Sequence, residues 1–207
     1  IDGVEFPQVG IRKKGFIGSQ NSDRPSLKIK INHVNREAQI DGLTNLTFNN
    51  NQQDVSLISQ FMGYGLFNAA GSPAPRCAYA NLTVNGQNLG IYAHVERIHR
   101  PLLKRSFGND QGVLYEGTVV DFYSGWVDSF EHKFGSDKKG RKKISNLIQV
   151  LNNPDENIET AIGKLVDLDA FYRFWALEGL LSFWDGYSGN YNNFFFYLHP
   201  ETDKFHF

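Results

Sequence analysis

The sequence predicts an α+β fold, and three observations carry that reading. Short segments of alternating apolar residues fill the first hundred positions. Longer segments with helical periodicity follow. The chain then closes on a polar turn and an apolar strand, FFFYLH. The order gives a strand-rich part with one helix at residues 1–100 and a mainly helical part at 101–207, arranged as one domain of two lobes.

Ile11 to Phe16 and Leu27 to Ile31 are expected strands, separated by a Gly-, Ser- and Asn-rich loop. Leu27, Ile29 and Ile31 alternate with Lys28 and Lys30, so both lysines leave the same strand face. Leu43 to Phe48 is a third strand. Asp54 to Asn68 is a helix capped by Asp54, with Leu57, Phe61 and Tyr64 near one face. Cys77 to Val84 and Leu89 to Val95 form a hairpin, because Asn85-Gly86 is the preferred pair for a two-residue turn. A short helix at Ile98 to Phe107 stops at Gly108, and Val113 to Glu116 is a strand. Asp121 to Gly140 shows no clear period, and Ser136 to Lys143 is expected as a charged, solvated loop. Helices follow at Ile144 to Leu151, Glu156 to Leu165 and Asp169 to Trp184. The last is apolar nearly all round and is expected to be buried.

Composition narrows the function classes. With 21 Lys and Arg against 22 Asp and Glu, the formal charge is −1, which leaves no global basic footprint for nucleic acid. The longest apolar stretch is interrupted by Glu178, so no membrane span is expected. One Cys, Cys77, excludes an internal disulfide. The six His residues lack paired metal spacing, and no nucleophile-elbow motif is present. Seventeen Phe, nine Tyr and three Trp against a single Met mark an aromatic core.

Two segments carry candidate chemistry. At Trp184 to His199, a helix delivers Asp185 into a loop holding Asn190, Asn192 and Asn193, with an apolar strand directly after it. A carboxylate can orient a hydroxyl and accept its proton, and an amide oxygen can ligate Mg²⁺ beside phosphates. Asp185 to Asn190 has the Asp-x-x-x-x-Asn spacing of kinase catalytic loops, although an Asx turn explains the same residues. In the second segment, Gly15 to Ser19 lets backbone amides approach an anion, and Lys28 and Lys30 follow. The plain alternative for the lysines is a solvent-facing strand.

Taken together and in order, these segments resemble the CotH kinase family. The resemblance runs through IRKKGFIGS, RPSLKIKIN, GLTNLTFNNNQQDVS, the PAPR, VNG and VERI elements, and DLDAFYRFWALEGLLSFWDGYSGNYNNFFFYLH. It implies an atypical protein-kinase-like two-lobe fold that uses ATP and Mg²⁺ to phosphorylate Ser or Thr on coat or surface proteins. A non-catalytic adhesin or coat-assembly scaffold is the alternative. By the same resemblance Asp185 is the catalytic acid and Asn193 the metal-ligating amide, with Asn190 as competitor. Lys28, or Lys30, serves the phosphates, and Arg76 and Glu96 support the nucleotide pocket. An extracellular, cell-surface or spore-coat location is also implied. Two departures stand out. Ser59 and Gln60 occupy positions where the family carries an Arg-Glu pair. The family's main metal carboxylate would fall after Phe207, so these 207 residues alone are expected to transfer phosphate poorly.

Overall fold

Alternating apolar residues can bury one sheet face and leave the other wet, and periodic helices then cover what remains. A computed structural model describes residues 1–21, 23–153 and 157–207. They form an α+β arrangement with two antiparallel sheets and six α-helices among the described residues. The chain divides into two units, Ile1–Asn68 with Pro73–Ile98 and Ala69–Ser72 with His99–Phe207.

The first unit holds β1 (Gly10–Lys13), β2 (Leu27–Lys30), β3 (Asn45–Asn49), helix α1 (Ser59–Ala69), β4 (Cys77–Val84) and β5 (Gln87–Val95). Its sheet runs β1-β2-β3-β5-β4. Leu27, Ile31, Leu46, Phe48 and Tyr92 form its core on one face. Asn85 and Gly86 both have positive φ, 50° and 79°, as the β4–β5 turn requires. Arg24 rivets the loop before β2. Its guanidinium stacks on Tyr92 at 4.7 Å and donates to the carbonyls of Leu89, Asn50 and Ile91.

Helix α1 begins later than its periodicity suggests. Leu57 sits at φ 62°, which no helix accommodates, so the helix starts at Ser59. Asp54 still serves its start. One carboxylate oxygen accepts the Ser59 N–H at 2.8 Å and the other accepts the Ser56 N–H at 3.1 Å. The Ser56 hydroxyl, which also donates to Asp54 at 2.5 Å, and then the Ser59 N–H pull the Asp54 carboxyl down to about 2.

The second unit holds α2 (Arg100–Phe107), β6 (Val113–Gly117), β7 (Glu131–Phe134), α3 (Asp137–Asn152), α4 (Ile158–Gly163), α5 (Leu168–Leu180), α6 (Tyr187–Asn190), β8 (Phe194–Leu198) and β9 (Phe205–His206). Its sheet runs β7-β6-β8-β9. Tyr115, Phe130, Phe194, Phe196, Tyr197 and Phe205 are fully buried in this unit, so part of the aromatic excess is core, whereas Trp126, Trp175 and Trp184 are exposed.

Two expectations are overturned here. The charged run Ser136 to Lys143 is not a loop. Ser136 caps α3 and Lys138, Lys139 and Lys142 form its outer face, while Gly140, Ile144, Leu147 and Ile148 are buried. The run looks unstructured in sequence because its apolar stripe starts only at Ile144. Helix α5 is also not buried all round. Phe174, Leu177 and Glu178 face inward, whereas Trp175 is 52% exposed. It stops at Leu180, and Leu180 and Trp184 beyond the buried face are 71% and 76% exposed. Strand β7 lies in the stretch where no period was legible; Glu131 and Lys133 dilute its pattern. The expected helix start at Glu156 lies outside the described residues, and the described helix begins at Ile158.

Gly140 tests the packing. An added Cβ would lie 2.3 Å from the Tyr115 hydroxyl. Gly140→Ala is expected to destabilise the protein by about 1–3 kcal/mol in urea unfolding, although helix propensity alone favours Ala by about 1 kcal/mol. A gain in stability would show that Tyr115 does not constrain α3.

Candidate active site

The loop after α5 is shaped by a buried carboxylate. Glu178, 2% exposed, accepts the N–H of Tyr187 at 3.0 Å on one oxygen and that of Ser188 at 2.8 Å on the other. These are the first free N–H groups of α6, so the acid of one helix starts the next. Glycine is required at two points. A Cβ on Gly186 would sit 2.3 Å from the Glu178 carboxylate, and one on Gly189 would sit 2.1 Å from the Trp184 carbonyl oxygen. Tyr187 plugs the base of the loop. Its ring packs on Phe194 at 4.7 Å and Phe207 at 5.7 Å, and its hydroxyl donates to Asp121 at 2.8 Å. Burial, followed by the Asp121 charge, pushes the Tyr187 hydroxyl well above the usual phenol range.

Asp185 stands between these fixed parts, half-exposed. One carboxylate oxygen accepts from the side-chain amides of Asn190 at 2.7 Å and Asn192 at 3.1 Å. The other accepts from the Asn193 amide at 2.9 Å, which also donates to the Asp185 carbonyl at 3.0 Å. The Asn190 and Asn192 bonds, then Asn193, hold the Asp185 carboxyl below its ordinary range. Asn193 takes φ 52°, a conformation that Asn tolerates better than most residues. Asp185, Asn190 and Asn193 are thus brought together, and both competing amides contact the same acid. Asn192 completes the group.

The amide nitrogens face the carboxylate, which leaves the oxygens for other partners. The Asn192 Oδ1 is buried without a hydrogen-bond partner. Among the described residues no group of three or more His, Cys, Asp or Glu is arranged to hold a metal. An ion here would therefore rest on the amide oxygens beside Asp185, hard donors that suit a cation such as Mg²⁺.

The remaining candidates belong to the first unit. Lys28 and Lys30 share the sheet face opposite the core, with Lys28 paired across to Arg12 and Lys30 to Gly10 and Asn45. Together with His33 they line a concavity of about 310 Å³ that contains no acidic side chain. Arg76 and Glu96 form an ion pair at 3.3 Å. Glu96 also accepts the Arg76 backbone N–H at 2.9 Å, and its side chain is 4% exposed. In the Gly-rich loop, Gly15 and Gly18 take φ 86° and 71°, and Phe16 and Ile17 project outward at 91% and 82% exposure.

Sequence reasoning passed over two further features. Glu178 was visible only as an interruption of an apolar run, but an acid in the middle of an otherwise buried helix is itself the signal. Lys14 donates to the Asn49 side-chain oxygen at 2.6 Å, and the Asn49 amide donates to Gln60 at 2.8 Å. Burial, followed by Arg12, lowers the Lys14 pKa. This relay ends on Gln60, one of the two positions where the resemblance implies an Arg-Glu pair.

Glu178→Gln places an amide nitrogen against a backbone N–H. It is expected to cost roughly 1–3 kcal/mol in urea unfolding, and a change within a few tenths would show that Glu178 does not hold the loop. Because the Asp185 pKa is depressed, its amide bonds stabilise the loop above the ordinary carboxylate range. That contribution is lost as pH falls through the lower folded value. Asn190→Ala should therefore move the Asp185 carbon-detected NMR titration upward toward its ordinary value; an unmoved titration would contradict the assigned cause.

The comparisons with known proteins agree with one another. The sequence model of the family described as "CotH kinase protein" matches residues 11–207. An inner spore coat protein H-like protein of Bacillus subtilis is 39% identical over 75 residues, 36% of this chain and 24% of that protein. Inner spore coat protein H of the same organism is 22% identical over 175 residues, covering 79% and 48%. Invasin CotH2 of Rhizopus delemar is 25% identical over 178 residues, covering 75% and 29%. The chain thus spans between about a quarter and a half of the length of these relatives. With this match over almost its whole length, the chain belongs to the CotH kinase protein family.

Proposed function

We propose that this chain is part of an atypical protein-kinase-like enzyme of two lobes that transfers phosphate from ATP to Ser or Thr of coat or surface proteins. The observation that carries the reading is the Asp185 carboxylate, kept ionised by Asn190, Asn192 and Asn193 in a member of this family. Asp185 accepts a hydrogen bond from the acceptor hydroxyl and orients its oxygen toward the γ-phosphorus. The new O–P bond forms as the bond to the β–γ bridging oxygen breaks, ADP leaves, and the hydroxyl proton passes to Asp185. A carboxylate of depressed pKa is a weak base, so its main work is orientation, with proton acceptance late. Asn193, with Asn190 and the unpartnered oxygen of Asn192, would hold Mg²⁺, which supplies charge neutralisation at the phosphates. In the first unit Lys28 or Lys30 would contact phosphate oxygens, with the Arg76–Glu96 pair as support for the nucleotide. The names of the relatives favour a coat or surface location, and no described helix is long and apolar enough to cross a membrane.

A scaffold or adhesin role is the second reading. It is favoured by Gln60 in place of an acid and by the exposed Trp175, Leu180 and Trp184.

Asp185→Asn in the full-length protein is expected to lower phosphate transfer from labelled ATP by about 10²–10⁴-fold while leaving ATP·Mg²⁺ binding within a few-fold. Unchanged transfer, or a normal coat or surface phenotype of Asp185→Ala, would favour the scaffold. Mass spectrometry of the modified protein should show phosphate; an AMP adduct would indicate nucleotidyl transfer instead. The acid limb of kcat should fall below the ordinary carboxylate range and rise in Asn190→Ala.

A further inference from the structure

Among the described residues the two sheets end on four edge strands, β1 and β4 in the first and β7 and β9 in the second. Unpaired edges invite other strands, and proteins guard them with charge, proline or brevity. β1 has four residues and carries Arg12 and Lys13. β7 has four and carries Glu131 and Lys133. β9 has two. β4, CAYANLTV, has eight residues, no charge and no proline. Its ladder with β5 shifts register between Leu82 and Thr83, so the regular edge runs from Cys77 to Leu82, roughly 20 Å at about 3.4 Å per residue. Ala78, Tyr79, Asn81, Thr83 and Val84 are exposed along it.

The phase of the ladder shows which groups face outward. The Glu96 N–H donates to the Arg76 carbonyl at 2.9 Å just beyond the strands. Continuing that register, Ala78 and Ala80 bond to His94 and Tyr92 of β5. Cys77, Tyr79 and Asn81 therefore turn their N–H and C=O groups away from the sheet. Such a row is satisfied by an extended polypeptide strand.

We propose that the occupant is β4 of a second copy of this chain, added antiparallel about a two-fold axis through Ala80. In that register Tyr79 of each copy lies opposite Asn81 of the other, and both are outward-bonding residues. Ala80 faces Ala80 and Ala78 faces Leu82, so no two large side chains collide. An uncharged strand meets no like charge in its own copy, whereas a charged strand from another protein finds no counter-charge on β4. The two-fold closes the contact, so the product is a dimer with a ten-stranded sheet and not a fibre.

Sedimentation velocity of the 207-residue chain over a concentration series should show reversible dimerisation. Asn81→Pro removes an outward N–H and leaves the β5 bonds of Ala78 and Ala80 intact. It should weaken the dimer by about tenfold or more with unchanged far-ultraviolet circular dichroism. Ala80→Cys on a Cys77→Ser background should form a disulfide-linked dimer under mild oxidation, because a non-hydrogen-bonded antiparallel pair brings Cα atoms to about 4.5 Å. A chain that stays monomeric at its solubility limit overturns the proposal. So does a dimer indifferent to Asn81→Pro, or open-ended aggregates in place of a dimer. If Asn81→Pro unfolds, failure of Ala80→Cys to cross-link overturns it. None of these readouts depends on phosphate transfer.

Discussion

The candidate site depends on one buried carboxylate. Glu178 lies on α5 with almost no solvent contact, yet its partners are two backbone N–H groups of the following helix and not a cation. A buried acid is tolerated only when its oxygens are bonded. This demand fixes where α6 begins and therefore where Asp185, two residues before Tyr187, must stand. It also explains Gly186, since any larger residue would occupy the space of the carboxylate.

Around that clamp the aromatic residues act as a mould. Phe171, Tyr187, Phe194 and Phe207 meet in tilted, edge-on and stacked contacts that bring α5, α6, β8 and the chain end to one centre. Rigid rings lose little conformational freedom on packing and fill space in a few geometries only. The polar loop above them inherits that rigidity. The three Asn amides then add electrostatic definition, because each bond to Asp185 also holds its proton affinity down. Fold and chemistry meet at the same atoms: the groups that order the loop are those that keep the acid ionised.

The two ends of the first unit's sheet show a different economy. β1 carries charge at its edge and lies beside the cationic concavity of Arg12, Lys28 and Lys30, while β4 carries none. The same strand alternation that buries Leu27 and Leu46 places the lysines together on the opposite face. A single period of two thus produces both a core and a cationic surface.

Much of this was legible in sequence. Alternation marked β2, the Asn-Gly pair marked the β4–β5 turn, and the Asp and Asn spacing marked the loop that carries the candidate site. Local chemistry determines these features, so local reading finds them. Other features depended on tertiary structure. A charged run became the first turns of α3 because Gly140 slides under Tyr115, a contact between residues far apart in the chain. Helix α5 kept an exposed apolar face that periodicity could not distinguish from a buried one. The role of Glu178 exists only once α6 is folded back against α5. The sequence by itself determined most of the strands and helices and the acid with its amides. Tertiary structure decided which faces are buried and which groups meet, because those depend on long-range packing that no local pattern encodes.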